Sequence, residues 1–212
     1  MERITPLFPL HLVVFPNSFY PLHIFEERYK AMVENCQKNN ISFVVVPVLS
    51  GTPASIGTTV SITQVTTRHQ DGSFDIIVKG EERVRIFREW KNSTGYDEGL
   101  IESFPDQSDY AYSTILTELE WRFKDMLKKV RVNLEDNYWS NLSRAKDKTF
   151  KIAEKSGLSI DQQVELLALQ NEEDRVRYLL AHFTKMGKYL NEREVLNSLI
   201  LNDGYLNPLT ED

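Results

Sequence analysis

Residues 6–29 read PLFPLHLVVFPNSFYPLHIFEERY, four prolines set among four phenylalanines before the run turns to charge at Glu26, Glu27 and Arg28. Proline removes a backbone donor and clashes with the preceding turn, which excludes a helix over most of this stretch. It also disfavours a long central strand. The pattern predicts short extended pieces joined at proline-fixed corners, as in a small irregular barrel. Residues 12–15 read as one such piece, closed by Pro16-Asn17.

The same grammar continues outward from that run. Residues 43–46 (FVVV) are apolar and mostly β-branched, as in a strand buried on both faces. Residues 58–68 are rich in Thr and Val, and Asp71-Gly72 is the strongest short hairpin signal in the chain. Phe74, Ile76 and Val78 alternate after it, Gly80 reads as a break, and Val84 and Ile86 resume the alternation. Residues 96–104 complete the set. One helix interrupts. Phe25, Tyr29, Met32, Val33 and Cys36 share a helical face, and Asn39-Asn40 end it. Cys36 on that stripe reads as core filler rather than a nucleophile.

After residues 104–109 the spacing becomes helical. Tyr112, Ile115, Leu119, Phe123, Met126, Val130 and Leu134 predict one helix of six turns. Ser156-Gly157 punctuates a short helix. Ser159 and Gln162 have the spacing of a capping box. A further helix starts near residues 171–174, with Val176, Leu179, Phe183 and Met186 on its face, and Val195, Leu196, Leu199 and Ile200 continue the pattern. The expectation is an α+β chain, with a β-rich domain over residues 1–108 and a helical domain over residues 109–212.

The net charge of −6 over 212 residues opposes broad non-specific binding of nucleic acid. Residues 1–108 carry ten Lys/Arg against thirteen Asp/Glu. Residues 122–155 lean basic and residues 156–212 acidic, which predicts mutual neutralisation. The single cysteine permits no internal disulfide and suits a reducing compartment. No secretion signal or apolar span is visible, so a cytoplasmic protein is expected and membrane is not.

The search for chemistry returns little. His11, His23, His69 and His182 include no i, i+4 pair of the zinc-protease kind, so no metal site is expected. Residues 51–59 (GTPASIGTT) have five residues between glycines and no following lysine, unlike a phosphate loop. There is no G-x-S-x-G elbow. Glu26-Glu27 and Glu81-Glu82 read as solvated carboxylates, and Arg28 as a structural partner for a nearby acceptor. Arg83, Arg85 and Arg88, near Phe87 and Trp90, form the one basic–aromatic spot in the first half.

Several separate motifs resemble the N-terminal domain of the Lon proteases, in the form found in stand-alone LON-domain proteins. They are Pro9-Leu10, Val13-Val14-Phe15-Pro16, residues 21–29 (PLHIFEERY), Gly57-Thr58, Asp71-Gly72, residues 78–86 (VKGEERVRI) and residues 158–180. The resemblance implies a PUA-like β pseudo-barrel followed by an α-helical bundle. It implies the substrate-engaging part of an ATP-dependent protease, a domain that contacts unfolded or tagged polypeptide. The ATPase module's Walker lysine and the protease module's Ser-Lys dyad have no counterpart in the sequence, so no catalytic residue carries over and no enzyme or cofactor is expected. The implied function is binding of polypeptide or a partner protein, in connection with proteolysis. Candidate contacts are Phe15, Phe19, Tyr20 and His23. Two alternatives remain: RNA binding, as other PUA-like barrels do, though the acidic balance of residues 1–108 opposes it, and an adaptor that docks on a separate ATPase or protease.

Overall fold

The computed structural model describes residues 2–107 and 113–189, and the chain divides into two units, Met1–Pro105 and Asp106–Asp212. The first unit runs β1 (Arg3–Leu10), β2 (Phe19–Ile24), α1 (Glu27–Asn39), β3 (Phe43–Leu49), β4 (Thr52–Pro53), β5 (Ile56–Arg68), β6 (Phe74–Lys91) and β7 (Asp97–Ser103). The second holds α2 (Ser113–Lys129), α3 (Asp136–Arg144), α4 (Lys148–Ala153), α5 (Ile160–Ala168) and α6 (Glu172–Tyr189). A sheet-rich unit followed by helices is a mixed α+β arrangement.

β6 is the spine of the first unit. On one edge β5 pairs with it over residues 74–85. The opposite edge is shared: β2 takes residues 74–79 and β7 takes residues 84–91. Between those two partners lies Gly80, and here the opening proline run supplies the missing neighbour. The Asn17 N–H donates to the Gly80 carbonyl and the Gly80 N–H to the Ser18 carbonyl, both at 2.8 Å. Gly80 therefore does not break the strand. It makes room for a loop: a Cβ there would overlap the Phe15 carbonyl oxygen and lie 2.9 Å from Val14 Cγ1. Further pairings join β7 to β1, β1 in parallel to β3, and β3 to β5, so the ladder returns to its start, and the short β4 pairs with the end of β3.

The prolines play a different part from the one expected. Only Pro16 marks a corner. Phe15, Pro16, Asn17 and Ser18 form a turn with proline second and left-handed Asn17 (φ 62°) third, closed by the Ser18 N–H on the Phe15 carbonyl at 3.3 Å. Residues 12–15 form no strand. Pro6, Pro9 and Pro21 lie inside β1 and β2. Each sits where its strand has a single neighbour: Pro6 opposite Glu98, Pro9 opposite Val46, Pro21 opposite Ile77. A missing N–H leaves no ladder bond unmade on a one-sided strand.

β3 is buried on both faces, as its composition predicts. Phe43 and Val45 join a large core with Phe8, Met32, Phe74 and Ile76, while Val44 and Val46 join a smaller one with Leu7, Val84 and Ile101. Burying the full side chain of a residue of this size stabilises by about 1.5–3 kcal/mol, so these two clusters fix which way the strands that feed them face.

In the second unit α2 stops at Lys129 instead of reaching Leu134. Arg131 adopts a left-handed φ of 55°, the Val132 N–H reaches back to the Leu127 carbonyl (3.0 Å) and the Arg131 N–H to the Lys128 carbonyl (3.1 Å). That is a Schellman ending with arginine where glycine is usual. The predicted helix therefore ends five residues early, and the chain turns into α3, which lies beyond the predicted span. Phe123 of α2 packs on Tyr138, Trp139 and Phe183, with ring centroids 6.0–6.2 Å apart. The Ser159 capping box is present in both directions, at 3.3 and 2.9 Å. Tyr112 and the helical spacing at Val195, Leu196, Leu199 and Ile200 lie outside the described residues. Among the described residues no helix is long and apolar enough to cross a membrane.

Candidate functional site

β2 alternates. Leu22 and Ile24 point into the core, while Phe19, Pro21 and His23 are exposed. Phe25 follows in the same register, and the stripe 19, 21, 23, 25 forms one outward face. Phe19 is 56% exposed and Phe25 62%. Among the described strands β2 pairs with β6 alone, so this apolar face lies on an edge strand.

Sequence periodicity assigned Phe25 to the buried stripe of α1. The helix starts two residues later, at Glu27, and only Tyr29, Met32, Val33 and Cys36 are buried on it. The period-2 alternation from Phe19 was the signal that places Phe25 outside. Its ring stacks on His23 at 5.8 Å and 23°. Both border a groove of about 390 Å³ whose other walls include Phe8, Tyr29, Glu26, Arg28 and Asp97. The Phe8 and Tyr29 rings pack 4.3 Å apart. Arg28 holds Glu26 through Nε (2.9 Å) and Nη2 (2.8 Å) and lies 4.5 Å over the Tyr29 ring. Burial raises the Tyr29 phenol above its ordinary value, so it stays neutral.

The four expected contact residues separate. Phe15 is 0% exposed and belongs to the interior, so it offers no surface to a ligand. Tyr20 is half-buried and packs against the main core. Phe19 and His23 are on the outward stripe. The basic–aromatic spot also divides: Arg83 is buried, and Arg83 and Arg85 both lie over the Phe104 ring, at 5.3 and 4.8 Å.

Two residues distant from His23 in sequence, His69 and Asp75, meet beside it. Asp75 is its direct cross-strand partner on β6. His23 Nδ1 lies 2.6 Å from Asp75 Oδ1, and His69 Nε2 lies 2.9 Å from Oδ2. The imidazole hydrogen bonds, His23 first and His69 second, hold the Asp75 carboxyl below the usual range. Asp71 fixes the tip of this hairpin by accepting from the Ser73 hydroxyl (2.6 Å) and N–H (2.9 Å), which lowers its own pKa. Cys36 is buried, and desolvation pushes its thiol up to about 11, the opposite of an activated nucleophile.

The profile of the ATP-dependent protease La (LON) substrate-binding domain matches residues 4–185. Lon protease 2 of Syntrophobacter fumaroxidans is 23% identical over 194 residues, which cover 86% of this chain and 24% of that protein. The chain thus spans about a quarter of that relative's length. A Lon N-terminal domain protein from Xanthomonas campestris superposes with a TM-score of 0.67 at 29% identity, covering 84% of this chain and 98% of that one. The N-terminal domain of a Mycobacterium avium complex Lon protease shares the fold, with a TM-score of 0.65 at 19% identity and coverages of 86% and 98%. With a family match that takes in β1 through most of α6, the chain belongs to the LON substrate-binding domain family.

Proposed function

We propose that the first unit holds an extended, apolar-rich segment of polypeptide along β2, and that the chain serves proteolysis as a binder with no chemistry of its own. The observation that carries this reading is the pair Phe19 and Phe25. They are two of the large exposed hydrophobics among the described residues; Phe19 opens the edge strand β2, and Phe25 follows directly on its last residue, Ile24. At about 3.3 Å per residue they are roughly 20 Å apart, the reach of six residues of extended chain. An incoming strand can add to β2 through main-chain bonds while its side chains settle on the aromatic stripe and into the groove at Phe8 and Tyr29. The net charge of −3 over residues 1–108 opposes a polyanion in the same place.

The ring of pairings through β1, β7, β6, β5 and β3 supports describing this unit as a PUA-like pseudo-barrel. Cys36, single and buried, supports a reducing, cytoplasmic setting. The test is fluorescence anisotropy with a labelled unfolded peptide rich in apolar residues, against a single-stranded RNA of equal length, with chelator present and nucleotide absent. Peptide is expected to bind more tightly. RNA binding that is tighter and falls steeply with salt would assign the unit to nucleic acid instead.

A further inference from the structure

We propose that His23, His69 and Asp75 form a binding site for a divalent transition ion of the zinc type. The three side chains come from three adjoining pieces of backbone. His23 is on β2, Asp75 is directly opposite on β6, and His69 is at the β5 end of the β5–β6 hairpin. Its N–H bonds to the Ser73 carbonyl at 2.8 Å, which fixes the hairpin base beneath the imidazole. Each residue presents one ligand atom, and all three atoms lie within 4.8 Å of one another. Zinc bonds of about 2.0–2.2 Å put ligand atoms in a tetrahedral set roughly 3.3–3.6 Å apart. The two imidazoles need to close slightly and the carboxylate to withdraw slightly, movements that exposed side chains make by rotation.

Donor chemistry selects the class of ion. Two imidazole nitrogens with one carboxylate suit zinc and its neighbours, whereas magnesium and calcium require many oxygens. Each imidazole now has a nitrogen in hydrogen-bond contact with the carboxylate. On binding, that nitrogen gives its lone pair to the metal, and the ring N–H is carried by the other nitrogen. Three protein ligands leave a fourth position on the solvent side, beside Phe25 and the groove, for water or a donor from a bound molecule.

The test uses the full, untagged chain stripped with chelator and titrated with Zn²⁺ in a calorimeter. One equivalent should bind, raising the melting temperature, and Mg²⁺ should do neither. His69→Ala and Asp75→Asn should each weaken zinc binding about tenfold or more. His11→Ala, whose imidazole contacts the Val48 carbonyl instead, should leave zinc binding unchanged. Co²⁺ in place of zinc should give visible absorption bands that disappear in His69→Ala, which separates direct ligation from a general loss of fold. Zinc affinity equal in the parent, His69→Ala and Asp75→Asn, or equally weak for zinc and magnesium in the parent, overturns the site. The peptide assay, run in chelator, is independent of this outcome.

Discussion

Arg175 grips Asp106 with both prongs of its guanidinium, Nη1 to Oδ1 at 2.7 Å and Nη2 to Oδ2 at 2.6 Å, across 69 positions of sequence. The arginine is fully buried, and its other donors are used as well: Nε bonds Thr149 Oγ1 and Nη1 also reaches the Leu169 carbonyl, both at 3.0 Å. Its guanidinium carbon lies 4.4 Å from the Phe150 ring centre. One side chain thus joins the start of the helical unit to α4 and to the turn after α5.

A charge held this way is costly to orphan. Asp106→Ala leaves a buried guanidinium without its counter-ion, and the expected loss is about 3–5 kcal/mol. Arg175→Lys should recover little, because an ammonium cannot reproduce the fork or the stacking. Urea unfolding followed on the helical signal measures both. A loss of under 1 kcal/mol in Asp106→Ala would mean that solvent replaces the bridge.

Glu172 predicts a pH effect of unusual sign. It opens α6, is buried, and its Oε1 has no hydrogen-bond partner. Desolvation, the largest cause, raises its pKa against the opposing pull of Arg175. A carboxyl raised in the folded state binds its proton more tightly there than in the unfolded chain. Its contribution to stability is therefore greatest in acid and declines as pH climbs through the window just above the ordinary glutamate range. Glu172→Gln should stabilise on the order of 1 kcal/mol at neutral pH, and the gain should shrink as pH is lowered. Unfolding of parent and variant at a series of pH values checks it. A gain that does not change with pH would exclude the ionisation as its cause.

Gly80→Ala tests the fit of the proline loop against β6. A methyl group there meets the Phe15 carbonyl and Val14, both held by the core. The loop must lift, at a cost of about 1–3 kcal/mol, and the hydrogen bonds of Asn17 and Ser18 to Gly80 should lengthen or break. Hydrogen exchange at the Asn17 amide should rise in the variant, while the α6 amides keep their parent rates.

Much of this architecture was legible in the sequence because local chemistry and tertiary structure agree. Asp71-Gly72 makes its hairpin, the valines of β3 are buried on both faces, and Asn40 ends α1 in the left-handed conformation that asparagine tolerates. The failures share a cause. Arg131 takes the same left-handed role at the end of α2, but arginine carries no such signal, so the spacing extends the helix to Leu134 when it stops at Lys129. Prolines were read as corners because the sequence does not show which strands have a single neighbour. Gly80 was read as a break because the loop that needs its missing Cβ lies 62 positions or more upstream. The His23–Asp75–His69 cluster forms only once β2 and β5 flank β6, and no ligand spacing announces it. Of the candidate contacts, alternation along β2 separates Phe19 and His23 from Tyr20, whereas Phe15, outside any strand, is buried by tertiary packing that no local pattern shows.

The division into units can be tested by cleavage. Pro105 disfavours helix at Phe104, and residues 105–109 (PDQSD) are polar. We expect a first chymotryptic cut at Tyr110 or Tyr112, giving two fragments that meet there. Mass spectrometry of the early fragments reads the position. First cuts within residues 58–86 would place the weak point inside the sheet and argue against a linker.

The stripe on β2 gives the sharpest test, because its neighbours in sequence face the other way. Phe19 and Phe25 are exposed, so replacing both by Ser removes apolar area from solvent rather than from the core, and the melting temperature should hardly move. If they anchor a bound peptide, each truncation should weaken binding by about 1–3 kcal/mol. Tyr20 is the control from the same strand. It packs against the core, so Tyr20→Ser should lower the melting temperature and leave the peptide affinity of the folded fraction nearly unchanged. Calorimetric melting and peptide anisotropy, measured on the two single phenylalanine variants, their double variant and Tyr20→Ser, separate surface from core. Full peptide affinity in a folded Phe19→Ser, Phe25→Ser double variant would remove β2 from the binding site. Lost affinity with an unchanged melt would locate the site on these two side chains.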